Sequence, residues 1–386
     1  MSIATVSFEP KPSLPPPVAT AGLLGWLRAN LFSSWLNAAF TLATLYLLWR
    51  VLPPIFDWMI AEAVWVGDKT EECKNADETR KGGACWIYVR ARVSGFMYGL
   101  YPYDLRWRVD LAGAVALALM VPVFIKAMPY RAIYGLAAIL LVPALASLLF
   151  YGWYDFPPNV PEAQTHPWRV VETAKWGGLS LTLLIAWVGI GASLPIGVVL
   201  ALGRRSKMPI VSALCVGFIE LWRGVPLITV MFMSSVMLPL FLPEGVTFDK
   251  LLRALIGVTL FSAAYLAEVV RGGLQAIPRG QFEAASALGL SYPKSMALIV
   301  LPQALKIVIP GIVNSFIGLF KDTTLVAIIG MYDFLGAVAL GNADPKWLGY
   351  AVEGYVFAAL FYFVFCFSMS RYSLALERKL NTGHKR

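Results

Sequence analysis

The sequence predicts an all-α polytopic membrane protein with about eight transmembrane helices. Three observations carry that expectation. Of 386 residues, 58% are hydrophobic and 14% charged, with a mean hydropathy of +0.67, against roughly 25% charged residues in a soluble domain. Apolar runs long enough to cross a bilayer recur along the whole length instead of forming one anchor. Lys and Arg gather at the ends of those runs, the ordinary topology signal, so the net charge of +9 does not point to nucleic acid.

The expected spans cover residues 31–51, 109–126, 132–153, 178–202, 211–240, 252–270, 307–321 and 350–369. Pro122, Pro143, Pro195, Pro226 and Pro310 fall inside them, where neighbouring helices can satisfy the carbonyls left without a donor. Orientation follows from the basic residues. Arg204, Arg205 and Lys207 follow the fourth span, Arg271, Arg279 and Lys294 the sixth, and Arg371, Arg378, Lys379, Lys385 and Arg386 the last, which puts these three places in the cytoplasm. Counting back places Lys126, Arg131 and Arg28 there as well, with both termini inside. The Pro-rich stretch 1–30 then reads as a cytoplasmic tail and not a signal peptide. Residues 378–386 read as a second cytoplasmic tail.

The segment 52–108 carries eight basic residues balanced by eight acidic ones, Asp77 and Glu78 among them, and is expected outside. An exported loop meets an oxidising compartment, so Cys73 and Cys85 are expected to form a disulfide; the alternative is two separate thiols. Cys215 and Cys366 fall in spans, where a thiol acts as a small apolar residue. His166 and His384 are the two histidines of the chain, too few for a His-based metal site or a catalytic triad. No G-x-x-x-x-G-K-[ST] occurs, and Gly189-x-Gly191 lacks the third glycine of a dinucleotide fingerprint. Neither a metal nor an enzymatic activity of its own is expected, and any ATP hydrolysis belongs to another chain.

Between the sixth and seventh spans, residues 271–306 combine five charged side chains with repeated Gly and Pro and are too polar for lipid. Here stand Glu283-Ala284-Ala285, three residues, Gly289, nine residues, Ile299, one residue, then Leu301-Pro302. This is the E-A-A-x3-G-x9-I-x-L-P signature of type I ABC importer permeases, without a departure. Leu179-Ser180-Leu181-Thr182-Leu183-Leu184 is similar to the start of the polar amino-acid permeases. Glu220 to Leu227 resembles their E-x-x-R-G-x-P-L segment, Glu268 with Arg271-Gly272-Gly273 their E-x-x-R-G-G end, and Lys321 to Leu325 their K-D-T-x-L turn. The resemblance covers roughly residues 176–377, and the block at 31–175, with three spans and a long external loop, is similar to the general L-amino-acid transporters of the Aap/Bzt type.

That resemblance implies a five-helix permease core at 176–377 behind a three-helix extension, in a bacterial inner membrane. It implies three kinds of partner: an ABC ATPase dimer that binds ATP and Mg, a homologous permease subunit or a second copy, and a periplasmic amino-acid binding protein. The cargo would be a range of L-amino acids. Phe282, Glu283, Ala284, Ala285, Gly289, Ile299, Leu301 and Pro302 would form the ATPase coupling region.

The residues themselves explain a short helix there: Pro278 and Gly280 at its start, Gly289 able to end it in a left-handed conformation, and Pro293 preventing continuation. Ala284, Ala285 and Ala287 would admit a partner closely, Phe282 and Leu288 would anchor it, and Glu283 would offer a charge. A carboxylate in a first helical turn is also favoured by the helix dipole, by about 0.3–1 kcal/mol, but a cap does not account for Gly289, Ile299, Leu301 and Pro302. Polar groups inside spans are costly and suggest a pathway: Ser234, Ser235, Asn314, Ser315, Lys321, Asp322, Thr323 and Thr324 could serve a zwitterion, or could bond between helices. Glu268 and Arg271, one turn apart, read as a structural pair near the cytoplasmic surface. Gly189, Ser193 and Gly197 make a small-xxx-small face for tight helix packing. An ion-coupled transporter would show inverted repeats and midplane acids, and a receptor or scaffold would need no coupling motif.

Overall fold

A computed structural model describes residues 22–75, 79–125, 128–155, 165–243 and 248–380. Lys126, Asp77, Glu78, His384, Lys385 and Arg386, most of the N-terminal stretch and the end of the C-terminal one lie outside the described residues. By internal contacts the chain forms two units, divided between Ile87 and Tyr88.

In the first unit, helix α1 (Gly22–Asn30) precedes α2 (Trp35–Phe56), whose first turn is capped by the Ser34 hydroxyl accepting from the Asn37 amide at 3.2 Å. No residue of α2 is buried although almost all are apolar, so the helix is stable only in a non-aqueous surround. Beyond it, Cys73 and Cys85 are joined in a disulfide with Cα atoms 5.8 Å apart. The same segment is held by the Val64 amide on the Ala84 carbonyl at 2.8 Å and by the Trp86 indole on the Met59 carbonyl at 2.9 Å.

The second unit opens within α3 (Trp86–Tyr98) and continues with α4 (Arg106–Phe124), α5 (Arg131–Tyr151), α6 (Gly178–Arg204) and α7 (Pro209–Gly224). Then come α8 (Leu227–Phe232), α9 (Lys250–Gln275) and α10 (Arg279–Ala287). The chain closes with α11 (Tyr292–Ser295), α12 (Leu301–Ile307), α13 (Ile309–Asp322), α14 (Phe334–Asn342) and α15 (Ala351–Leu380). One two-residue strand, Tyr332–Asp333, bridges to Gly177 and Gly178. Residues 88–175 pack with the helices that follow them; the Trp187 indole donates to the Ala138 carbonyl at 3.1 Å and the Tyr101 hydroxyl to that of Phe150 at 2.8 Å.

Among the described residues seven helices are long and apolar enough to cross a membrane. The fifth expected span, 211–240, is broken: Pro209–Gly224 and Leu227–Phe241 meet at 102°. Pro226 is the cause. Its ring drives Val225 into extended backbone (φ −110°, ψ 133°) and it has no N–H to continue the helix, so α7 stops at Gly224 and α8 starts afresh. Pro310 likewise begins α13 instead of kinking a span, whereas Pro122, Pro143 and Pro195 stay inside helices.

The centre of this unit is α6 against α9. Gly189, Ser193 and Gly197 are buried on one face of α6, and a Cβ on Gly197 would stand 2.9 Å from the Leu266 Cβ and 3.0 Å from the Ala263 carbonyl oxygen. The two backbones are therefore closer than any side chain at that position allows. Gly197→Val should cost roughly 1–3 kcal/mol through overpacking and lower the thermal unfolding temperature of the purified protein. Gly217→Ala, at a glycine with open space around it, should leave that temperature within about 2 °C.

Candidate coupling helix and translocation cavity

Helix α10 follows the end of α9 by three residues, with Pro278 at its N-cap. Its nine residues make about 13 Å of helix. It ends where Gly289 turns left-handed at φ +70°, the Gly289 amide on the Ser286 carbonyl at 2.9 Å and the Leu290 amide on that of Ala285 at 3.1 Å. Glu283, Ala284, Ala287 and Leu288 are exposed, Leu288 by 76%. Two of the residues expected to meet a partner instead face the bundle. Ala285 is fully buried, and Phe282 packs on a core cluster with Leu274, Ile277 and Met296. At 3.6 residues per turn Ala285 and Phe282 share a face, whereas Leu288 stands at the C-cap, past the last helical residue.

Two contacts to α10, from Arg205 and from Gln303, fix its orientation. The Arg205 guanidinium lies over the Phe282 ring at 5.7 Å and donates to the Leu274 carbonyl at 3.1 Å. The Gln303 amide donates to the Gln281 carbonyl oxygen at 3.1 Å and to the Ile299 carbonyl at 2.9 Å, tying α10 to α12. Leu301 and Pro302 open α12, and Ile299 sits in the π-helical turn Met296–Val300 before it, so the second half of the motif builds the brace on which the first half rests.

Deeper in the bundle lies a cavity of about 510 Å³. Ser193 of α6, Pro226 and Leu227 at the start of α8, Phe261, Ser262 and Tyr265 of α9, and Asn314, Ser315 and Asp322 of α13 line it. The break at Pro226 therefore shapes one wall. Of the sequence-predicted pathway residues, Asn314, Ser315 and Asp322 meet here, the Ser315 hydroxyl donating to the Gly311 carbonyl at 3.0 Å. The others do not join them. Ser234 lines a separate apolar groove, and the Ser235 carbonyl accepts from Arg253. Thr323 is buried with its hydroxyl on the Phe320 carbonyl, Thr324 bonds that of Lys321, and Lys321 is exposed. These hydroxyls close the last turn of α13.

Sequence reasoning passed over Ser262 and Tyr265, although their spacing of three, continued by Glu268 and Arg271, marks one polar stripe along α9. It also paired Glu268 with Arg271 alone. The carboxylate meets Arg271 at 2.7 Å, Arg204 of α6 at 2.5 Å and Arg223 of α7 at 3.8 Å, and Arg204 further reaches Glu220 at 3.1 Å.

Comparison with known proteins places this arrangement. The family of binding-protein-dependent transport system inner membrane components matches residues 193–382. The inner membrane amino-acid ABC transporter permease protein YhdY of Escherichia coli K12 is 54% identical over 358 residues, 93% of each chain. The chain belongs to the amino-acid ABC transporter permeases. BztC of Rhodobacter capsulatus, a glutamate/glutamine/aspartate/asparagine transport system permease protein, is 42% identical over an alignment of 436 positions covering 99% of each. A crystal structure of an amino acid ABC transporter with histidines aligns with 52% of this chain and 92% of that one, at 27% identity and a TM-score of 0.47. As such a permease the protein is a multi-pass transport subunit of a system that also includes an ATPase and a binding protein.

The two sides of α10 in this permease should respond differently to truncation. Phe282→Ala removes a half-buried ring and should cost roughly 1–3 kcal/mol of stability, read as a lowered unfolding temperature. Leu288→Ala, at an exposed position, should leave that temperature unchanged.

Proposed function

We propose that this permease forms the path by which L-amino acids enter a bacterium across the inner membrane, and that α10 is the surface on which a separate ATPase docks. The observation that carries the reading is the full E-A-A-x3-G-x9-I-x-L-P register standing on a short, exposed, rigidly braced helix, three residues beyond the helix whose polar stripe lines the cavity. The partner would contact Glu283, Ala284, Ala287 and Leu288. Gly289 ends the helix that carries them, and Phe282, Ala285, Ile299, Leu301 and Pro302 hold it in place.

Two ATPase subunits binding ATP and Mg would close against each other and carry α10 with them, changing which side of the membrane the cavity faces. Such a change is driven by differential affinity for two conformations and requires no chemistry in this chain. A homologous permease, or a second copy of this one, would complete the pathway, and a periplasmic binding protein would deliver the cargo. The positive-inside pattern supports cytoplasmic termini and a cytoplasmic α10. The cavity supports a zwitterionic cargo: Asp322 offers a carboxylate toward an ammonium group, Asn314, Ser262 and Tyr265 offer hydrogen bonds, and Phe261 and Phe316 give apolar contact. The range of side chains named for BztC supports a cargo that is mostly backbone-recognised.

Glu283→Lys should insert into the membrane at normal levels yet lose its ATPase on purification, and amino-acid uptake by cells or vesicles should disappear. Normal uptake by that variant would remove the docking role from α10.

A further inference from the structure

Glu268 is only 16% exposed and sits where three helices converge: Arg204 from the end of α6, Arg223 from the last turn of α7, and Arg271 from its own helix α9. Around it are three guanidinium groups and one further carboxylate, Glu220. A site built for stability alone would balance its charges, because a surplus cation in a partly desolvated place costs energy. Here the cations exceed the anions by one, and they are not held equally. Arg271 and Arg204 make close contacts at 2.7 and 2.5 Å, while Arg223 stands off at 3.8 Å. Arg223 is the arm free to tighten or let go.

Each arm leads somewhere. The Arg223 guanidinium lies over the ring of Tyr265 at 5.7 Å, and Tyr265 is part of the cavity wall. Arg204 is followed by Arg205, which grips the Leu274 carbonyl and covers Phe282 of α10. Arg271 anchors the carboxylate within α9 itself. The carboxylate is thus the common point of two continuous contacts, one toward the cavity and one toward the docking helix.

We propose that Glu268 is a positioning residue that latches the cavity wall at Tyr265 to the docking helix at Phe282, so that motion of one obliges motion of the other. The proposal rests on α10 being the ATPase dock. Without the latch the ATPase could still turn over, but its strokes would reach the cavity weakly. The signature is a split between hydrolysis and transport, which loss of folding does not produce.

The test uses the whole transporter in proteoliposomes, with its ATPase, partner permease and binding protein, and reads uptake and ATP hydrolysis together. In Glu268→Gln, hydrolysis stimulated by loaded binding protein should persist within about twofold while uptake per ATP falls about tenfold, a coupling loss of ordinary size. Glu268→Asp should recover most of that ratio. A fall of both rates in step, or no change in either, overturns the latch. If Glu268→Gln does not assemble, Arg223→Gln, which leaves the Arg204 and Arg271 contacts in place, must lower the ratio in the same way, and a parallel fall or no change there overturns it equally. A Glu283→Lys transporter that keeps its ATPase and its uptake overturns the docking role instead, whereas an unchanged ratio in Glu268→Gln with docking intact overturns the latch alone.

Discussion

The contact of α6 with α9 at Gly197 is the constraint on which the second unit depends. Leu266 and Ala263 approach so closely there that no Cβ fits, and in lipid such close approach replaces the hydrophobic effect as the reason for two helices to associate. Its consequence is functional as well as mechanical. Helix α9 carries Ser262 and Tyr265 to the cavity, Glu268 to the arginine cluster, and α10 at its end. Whatever fixes α9 on α6 fixes the relative positions of all three.

Lipid imposes the second constraint. A backbone group without a partner is far more costly in the bilayer than in water, so each interruption of a helix must be answered locally. At Pro226 the answer is a new N-terminus: α8 begins at once, and the gap between α7 and α8 opens onto the cavity. In the π-helical turn Met233–Met237 the Ser235 carbonyl is answered by Arg253, and in the last turn of α13 the threonine hydroxyls answer the Phe320 and Lys321 carbonyls. Polar residues in spans therefore divide into those that repair the backbone and those that face the cavity. Asn314 and Asp322 fall in the second class by their place on the cavity wall.

That division explains how much could be read in advance. Helix α10 is legible in the sequence because its determinants are local: a proline before it, a glycine after it, and a register contained in one stretch of chain. The helical faces of α10 follow from the same periodicity, yet which face turns inward depends on Arg205 and Leu274, which precede Phe282 by 77 and eight residues. The cavity was half legible for a similar reason. Asn314, Ser315 and Asp322 share α13, whereas Ser262 and Tyr265 join them only by packing, and Ser234, equally polar in sequence, ends in a different groove. The break in the fifth span was available from Pro226 and the restriction it places on Val225, but an apolar run of 30 residues outweighs one proline when hydropathy alone is summed.

Glu268 shows why a pair inferred from helical spacing can understate a site. The i, i+3 rule finds Arg271 because both residues lie on one helix; Arg204 and Arg223 arrive from helices 64 and 45 positions earlier in the chain. A carboxylate shared among three helices responds to any of them moving, and a two-partner surface pair does not. Rigid and adjustable attachment meet on one helix: the glycine contact of α6 with α9 supplies the first, and Arg223, held 3.8 Å from Glu268, supplies the second.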